Sequence, residues 1–191
     1  MAIEFKKTKY SGHTPEIWRG ECKILPGGFK LKQNFPVGTV IHRGTPVAVD
    51  FATMSATVIK SATVLEGGTT KLVRVAKGHL FVAGDVIAKN GAADATATVS
   101  SVDTSNTEYD VLNLSAAIAD LTKGNVLVIN GQPVPNMVVG AVLEITGKGL
   151  PTLDVAYEAV VLYPSLNLPI LEDWLNGPCL KLNPNILFIK Q

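Results

Sequence analysis

The sequence predicts an all-β chain, a small barrel or sandwich of short strands with an extended N-terminal arm and at most one or two short helices. Three observations predict it. From Val37 onward Val, Ile, Thr, Ala and Leu dominate in short runs. Gly, Asn and Asp interrupt those runs at short intervals, as turns between strands do. No apolar heptads are sustained, so long helices and coiled coils have no support.

The strands follow in order from that pattern. Val37–Ile41, Pro46–Asp50, Ala56–Leu65, Lys71–Ala76 and Asp85–Ala88 come first. Thr96–Val102, Tyr109–Leu114, Val126–Ile129, Ala141–Ile145 and Val155–Tyr163 come next. Within Lys71–Ala76 polar and apolar residues alternate, which places one wet and one dry face. Val155–Tyr163 is almost wholly apolar and suits a strand covered on both faces. Asn183–Gln191 reads as a last strand. Asn90-Gly91 and Asn130-Gly131 supply residues that tolerate positive φ in tight turns. Ser115 is a candidate N-cap for a short helix over 116–121, and Pro169–Leu175 is a second, closed by Asn176-Gly177-Pro178.

A faint repeat runs through the middle. Gly44, Gly84 and Gly124 stand 40 residues apart, each opening a short apolar run that Asp50, Asn90 or Asn130 closes. A glycine turn releasing into a strand explains the grammar. Without a Trp-Asp signature it does not make a propeller.

The first 36 residues differ from the rest. Residues 1–43 hold eight basic and three acidic side chains, net +5, while 44–191 are net −4. Pro15, Pro26, Pro36 and Gly27-Gly28 punctuate this stretch. The division expected is therefore an extended arm over 1–36, with room for one short strand, and a β-rich body over 37–191. Trp18 and Phe29 are candidate apolar anchors for a partner, with Arg19, Lys23, Lys30 and Lys32 beside them for carboxylates. Deleting residues 1–32 is then expected to leave a folded body.

Composition sets limits. The chain has 191 residues, 47% hydrophobic and only 17% charged, the reverse of a disordered composition. A net charge of +1 argues against nucleic acid as a partner, because phosphate binding calls for a basic excess. No apolar run approaches membrane-spanning length and no apolar leader follows Met1, so no membrane partner and synthesis in a cytoplasm are expected. Cys22 and Cys179 read as two unrelated thiols.

No chemistry-bearing motif emerges. His13, His42 and His79 each stand alone in sequence, without ligand spacing for a metal. Gly140 and Gly147-Lys148-Gly149 miss phosphate-loop spacing, and Gly149 replaces the Mg²⁺-holding hydroxyl. Asp50, Asp85, Asp94, Asp103 and Asp110 read as turn formers. No catalytic residue, cofactor or metal is expected, and no enzyme.

A resemblance enters through Val75-Ala76-Lys77-Gly78-His79-Leu80-Phe81-Val82-Ala83-Gly84-Asp85-Val86-Ile87, then 97–103, Tyr109-Asp110-Val111-Leu112 and Lys123-Gly124-Asn125-Val126-Leu127. These segments resemble the head fibre proteins of tailed bacteriophages. Arg43–Val49 is similar to capsid decoration proteins more broadly. The likeness covers roughly 36–165 and rests on turn-and-strand grammar. It implies a non-enzymatic virion protein on the outer capsid surface, made in a bacterial cytoplasm. It also implies a homotrimer whose partner is the major capsid protein. The absence of a heptad shaft departs from the long fibre types and leaves a base or knob. The alternative is a carbohydrate-binding or adhesive β-domain, with a host-surface glycan as partner.

Overall fold

The structure is a computed structural model that describes residues 16–92 and 95–190, with Pro26 and Gly27 described by their backbone alone. Among the described residues it holds sixteen strands and two single-turn 3-10 helices, Tyr163–Ser165 and Glu172–Trp174. The protein is all-β.

Its strands are β1 (Lys23–Leu31), β2 (Val40–Ile41), β3 (Pro46–Asp50), β4 (Ser55–Val58), β5 (Ser61–Thr63), β6 (Leu72–Ala76), β7 (Val86–Lys89) and β8 (Thr96–Asp103). Then come β9 (Tyr109–Leu114), β10 (Val126–Ile129), β11 (Met137–Val139), β12 (Leu143–Glu144), β13 (Thr152–Leu162), β14 (Leu175–Asn176), β15 (Cys179–Leu180) and β16 (Asn183–Ile189).

They form two closed rings, and the strands of the inner one are inserted in sequence between β4 and β11 of the outer one. In the outer ring β1, β4, β3, β11 and β13 pair in that order, and β13 pairs back onto β1. Strand β13 also carries β16 alongside it in parallel, followed by β15 and β14. A short ribbon, β2 with β12, stands beside the ring. The inserted ring runs β5-β10-β7-β8-β9-β6. A bridge between Val64 and Val75 closes it. Closure pairs both edges of the ring strands, and open edges are a recurrent hazard of sheets.

Each ring has its own core. Val47, Val58, Leu153, Val155 and Ile186 pack in the first, with Val73, Val99, Leu112, Leu114 and Leu127 in the second. Strand β9 shows why: Asp110, Leu112 and Leu114 point inward while Tyr109, Val111 and Asn113 are partly exposed. Each inward aliphatic contributes about 1.5–3 kcal/mol of burial.

The repeated glycines make the same turn three times. Gly44, Gly84 and Gly124 have φ of 80°, 95° and 88°. The next residue's N–H donates to the carbonyl three residues back: Thr45 to His42, Asp85 to Val82, Asn125 to Thr122. Asp85 and Asn125 also close the loop in reverse, their side chains accepting the Val82 and Thr122 N–H at 2.8 Å.

Three amide side chains act as surrogate strand neighbours. Gln33 donates to and accepts from the Val58 backbone, Asn136 does so for Val49, and Gln132 for Lys60. Gln132 holds the point where the chain passes from outer to inner ring. Lys60, 3% exposed there, reaches both carboxylate oxygens of Asp85 at 3.0 and 2.8 Å and lies 4.9 Å from the Phe35 ring centroid.

Several expectations are corrected. The run 56–65 is two strands, because the chain changes rings at Ile59-Lys60, both buried. Residues 116–121 form no helix. Ser115 reaches across to accept the Thr98 N–H, and Ile118 is buried with its N–H on the Thr70 carbonyl. Only Glu172–Trp174 of the second expected helix is helical. The expected arm ends well before residue 36, since Lys23–Leu31 is a strand of the ring. Its Pro-Gly-Gly stretch is accommodated at a register shift between Leu25 and Phe29, where a sheet tolerates such residues.

Candidate functional site

Residues 17–31 run antiparallel along β13 for almost its whole length. Trp18 bridges Val161, the Arg19 N–H donates to the Val160 carbonyl, and Leu162 donates to Ile17. Lys23, Ile24, Phe29 and Lys30 continue the register against Glu158, Ala156, Leu153 and Thr152. Sequence reasoning grouped Trp18, Arg19, Lys23, Phe29, Lys30 and Lys32 as one patch. The strand instead separates them by its length: Arg19 bonds Val160 and Lys30 lies opposite Thr152 on β13, so at ~3.3 Å per residue they stand roughly 26 Å apart.

Their environments differ accordingly. Trp18 is half-buried against the outer core. Phe29 is 2% exposed, so it is a core residue and not a free anchor. Its ring meets Phe51 edge-on, with centroids 5.6 Å apart. Lys23 pairs with Glu158 at 2.8 Å and Lys32 approaches Asp50 at 3.8 Å, both exposed. Arg19 and Lys30 are exposed and have no ion pair among the described residues. Deletion of residues 1–32 would remove β1 from the ring, so the expectation of an intact body is withdrawn. Residues 1–15, with Lys6, Lys7 and Lys9, lie outside the described residues.

A second cluster escaped the sequence, because its members are 31 positions apart. His79 and Asp110 are both buried, and His79 Nε2 lies 3.2 Å from Asp110 Oδ2. Asp110 Oδ1 takes the Lys77 ammonium at 2.6 Å. On the other side of the imidazole Nδ1 accepts the Phe81 N–H at 3.1 Å. An accepting Nδ1 places the proton on Nε2, facing Asp110. That contact is out of line for a hydrogen bond, so Nε2 has only electrostatic company. Burial holds the His79 pKa below its ordinary value, against an opposing pull from Asp110. Both nitrogens face the protein's own groups, so the ring braces the junction of the two cores. Leu80 belongs to one core and Phe81 to the other. The adjoining cleft, about 370 Å³, is lined by Phe35 and Thr39 of the outer unit and Val82 and Thr104 of the inner.

The aspartates divide by role. Asp50 accepts the Ala52 and Thr53 N–H groups and the Thr53 hydroxyl, and Asp103 accepts the Ser105 N–H. Both pKa values are lowered by these bonds. Asp85 makes a turn bond and a buried ion pair, while Asp110 sits in a strand and pairs with Lys77 beside the His79 ring. Asp94 lies outside the described residues. His42 is exposed. Both cysteines are free thiols. Burial raises the Cys22 pKa, and the nearby Arg43 opposes it. Among the described residues no three His, Cys, Asp or Glu gather as metal ligands would, and no helix is long and apolar enough to cross a membrane.

No protein family, curated protein or solved structure matches this chain.

Proposed function

We propose that the chain is a non-enzymatic structural protein of a tailed bacteriophage virion. It decorates the outside of the capsid as a head fibre base or decoration protein, in the form of a homotrimer. One observation carries the reading. The segments that carry the resemblance to head fibre proteins, all within 75–127, supply most of the inner ring, and their polar side chains engage the protein's own turns and junctions. Asp85, Asn125, His79, Asp110 and Lys77 all have internal partners. Groups committed in this way suit a rigid displayed body.

Among the described residues no cluster of exposed Trp and Tyr favours the sugar-binding alternative. Trp174 is buried, Trp18 is half-buried, and Tyr109, Tyr157 and Tyr163 are only partly exposed. The test is electron microscopy of particles made with and without the protein. Surface knobs should be present in the first and missing in the second. Particles of identical outline would refute the reading. Light scattering should give three copies of 20.2 kDa, about 61 kDa, and a 20 kDa species would refute the trimer.

A further inference from the structure

One end of the outer ring is both apolar and basic. The β3–β4 tip carries Phe51 and Met54, 55% and 43% exposed. Met54 lies over Gly28 of β1, its ε-methyl 3.8 Å from where a β-carbon would stand. Beside them the Leu31 N–H donates to the Pro151 carbonyl, which brings in the loop ending at Leu150. Leu150 is 78% exposed. On the other flank of that loop, Val37 touches Gly147 and is 72% exposed. Leu150 and Val37 are thus the two most exposed large apolar residues of the described chain, and they share one end with two others. Apolar residues gathered in this way mark interaction surfaces.

The rim is cationic. Lys30, Lys32 and Lys148 are exposed around it. The acid on the tip, Asp50, is engaged by three bonds within its own turn, with Lys32 only at 3.8 Å. A second copy applied by this same face would set these lysines against their own equivalents. The charge therefore selects a partner of the opposite kind.

We propose that this end seats the protein on the capsid, over an apolar site bordered by carboxylates on the shell protein. The inference rests on the capsid reading above and adds the face and the partner chemistry. It also replaces the expected anchor set: Lys30 and Lys32 remain, Phe51, Met54 and Leu150 take the place of Phe29, Trp18 and Arg19 fall at the opposite end, and Lys23 lies midway along β13.

The test uses the full chain and capsids assembled without it. Two variants alter the face, Met54→Asp/Leu150→Asp and Lys30→Glu/Lys148→Glu. Leu182→Ser, 62% exposed on the β15–β16 turn, is the control. Thermal melts monitor folding, and all four substituted face positions are exposed. Wild type and Leu182→Ser should co-sediment with capsids, and both face variants should lose at least about tenfold in affinity. Raising salt from about 0.05 to about 0.5 M should weaken wild-type binding without abolishing it, because screening spares the apolar share. Face variants that bind as wild type does would overturn the face while leaving the capsid reading standing. Variants that dissociate the oligomer would assign the face to a second copy and overturn it too. Failure of the wild type to sediment would overturn both.

Discussion

The buried pair Lys60–Asp85 offers a sharp perturbation, because the protein contains its own control. Asp85 and Asn125 occupy equivalent positions in two copies of one turn, and each accepts the N–H three residues back at 2.8 Å. Asparagine therefore performs the turn role unaided, and Asp85→Asn should leave the loop intact. What it removes is the counter-charge of Lys60, whose side chain is 4% exposed. Breaking a buried pair from one side costs about 3–5 kcal/mol, since the remaining charge stays desolvated. With a urea slope of roughly 2–3 kcal/mol/M for a chain of this size, the midpoint should fall by about 1–2 M. Lys60→Met/Asp85→Asn removes both charges and places a thioether by the Phe35 ring, so stability should return to within about 1 kcal/mol of wild type. The cycle should give a coupling of at least about 2 kcal/mol. Asp85→Asn alone within about 1 kcal/mol of wild type, or simple additivity in the double variant, would refute the argument.

Two further outcomes follow from the same structure. Phe29→Ala should cost about 3–5 kcal/mol and Phe51→Ala about 1 kcal/mol in urea melts, a contrast expected of a core ring and its half-exposed edge partner. Equal small losses would instead restore Phe29 to a free arm. Because the folded pKa of His79 lies below the unfolded value of about 6.5, the unfolded chain binds the extra proton more readily. The His79 contribution is therefore unperturbed above pH ~6.5 and falls as pH drops from there through the folded pKa. His79→Asn, which keeps an acceptor for the Phe81 N–H, should flatten the stability profile as pH falls below about 6.5. An unchanged slope would place the titration elsewhere.

The sequence was readable where one local signal decided the outcome. Pro46–Asp50, Tyr109–Leu114 and Val126–Ile129 are strands at the expected boundaries, each an apolar run or alternation with polar or glycine-bearing ends. Asn90-Gly91 takes positive φ at both residues, as its composition implies. Legibility failed where a distant partner decided. Ser115 is as good an N-cap as a bonding partner for Thr98, and only ring closure selects between them. Pro26-Gly27-Gly28 argued against a strand, yet β13 supplies a neighbour long enough to carry β1 past the irregularity. His79 with Asp110, and Lys60 with Asp85, carry no spacing signal, since each pair meets only after the inner ring has formed.

The 40-residue grammar gains a physical meaning from the two rings. Its first copy, at Gly44, opens β3 of the outer ring, while the second and third open β7 and β10, neighbours in the inner one. The inner two face each other symmetrically: the Asn90 N–H donates to the Val126 carbonyl and the Asn130 N–H to the Val86 carbonyl. What distinguishes the copies is the residue after the glycine, Thr45, Asp85 or Asn125. Thr45 lacks the carbonyl-type oxygen that closes the other two loops. Asn125 closes its loop as a neutral amide. Asp85 does the same with a charge, and it is the copy that faces the crossing point between rings, where Lys60 arrives. A shared turn thus builds both units. One carboxylate, at the copy that Lys60 reaches from the crossing at Ile59-Lys60, ties that crossing to the inner ring.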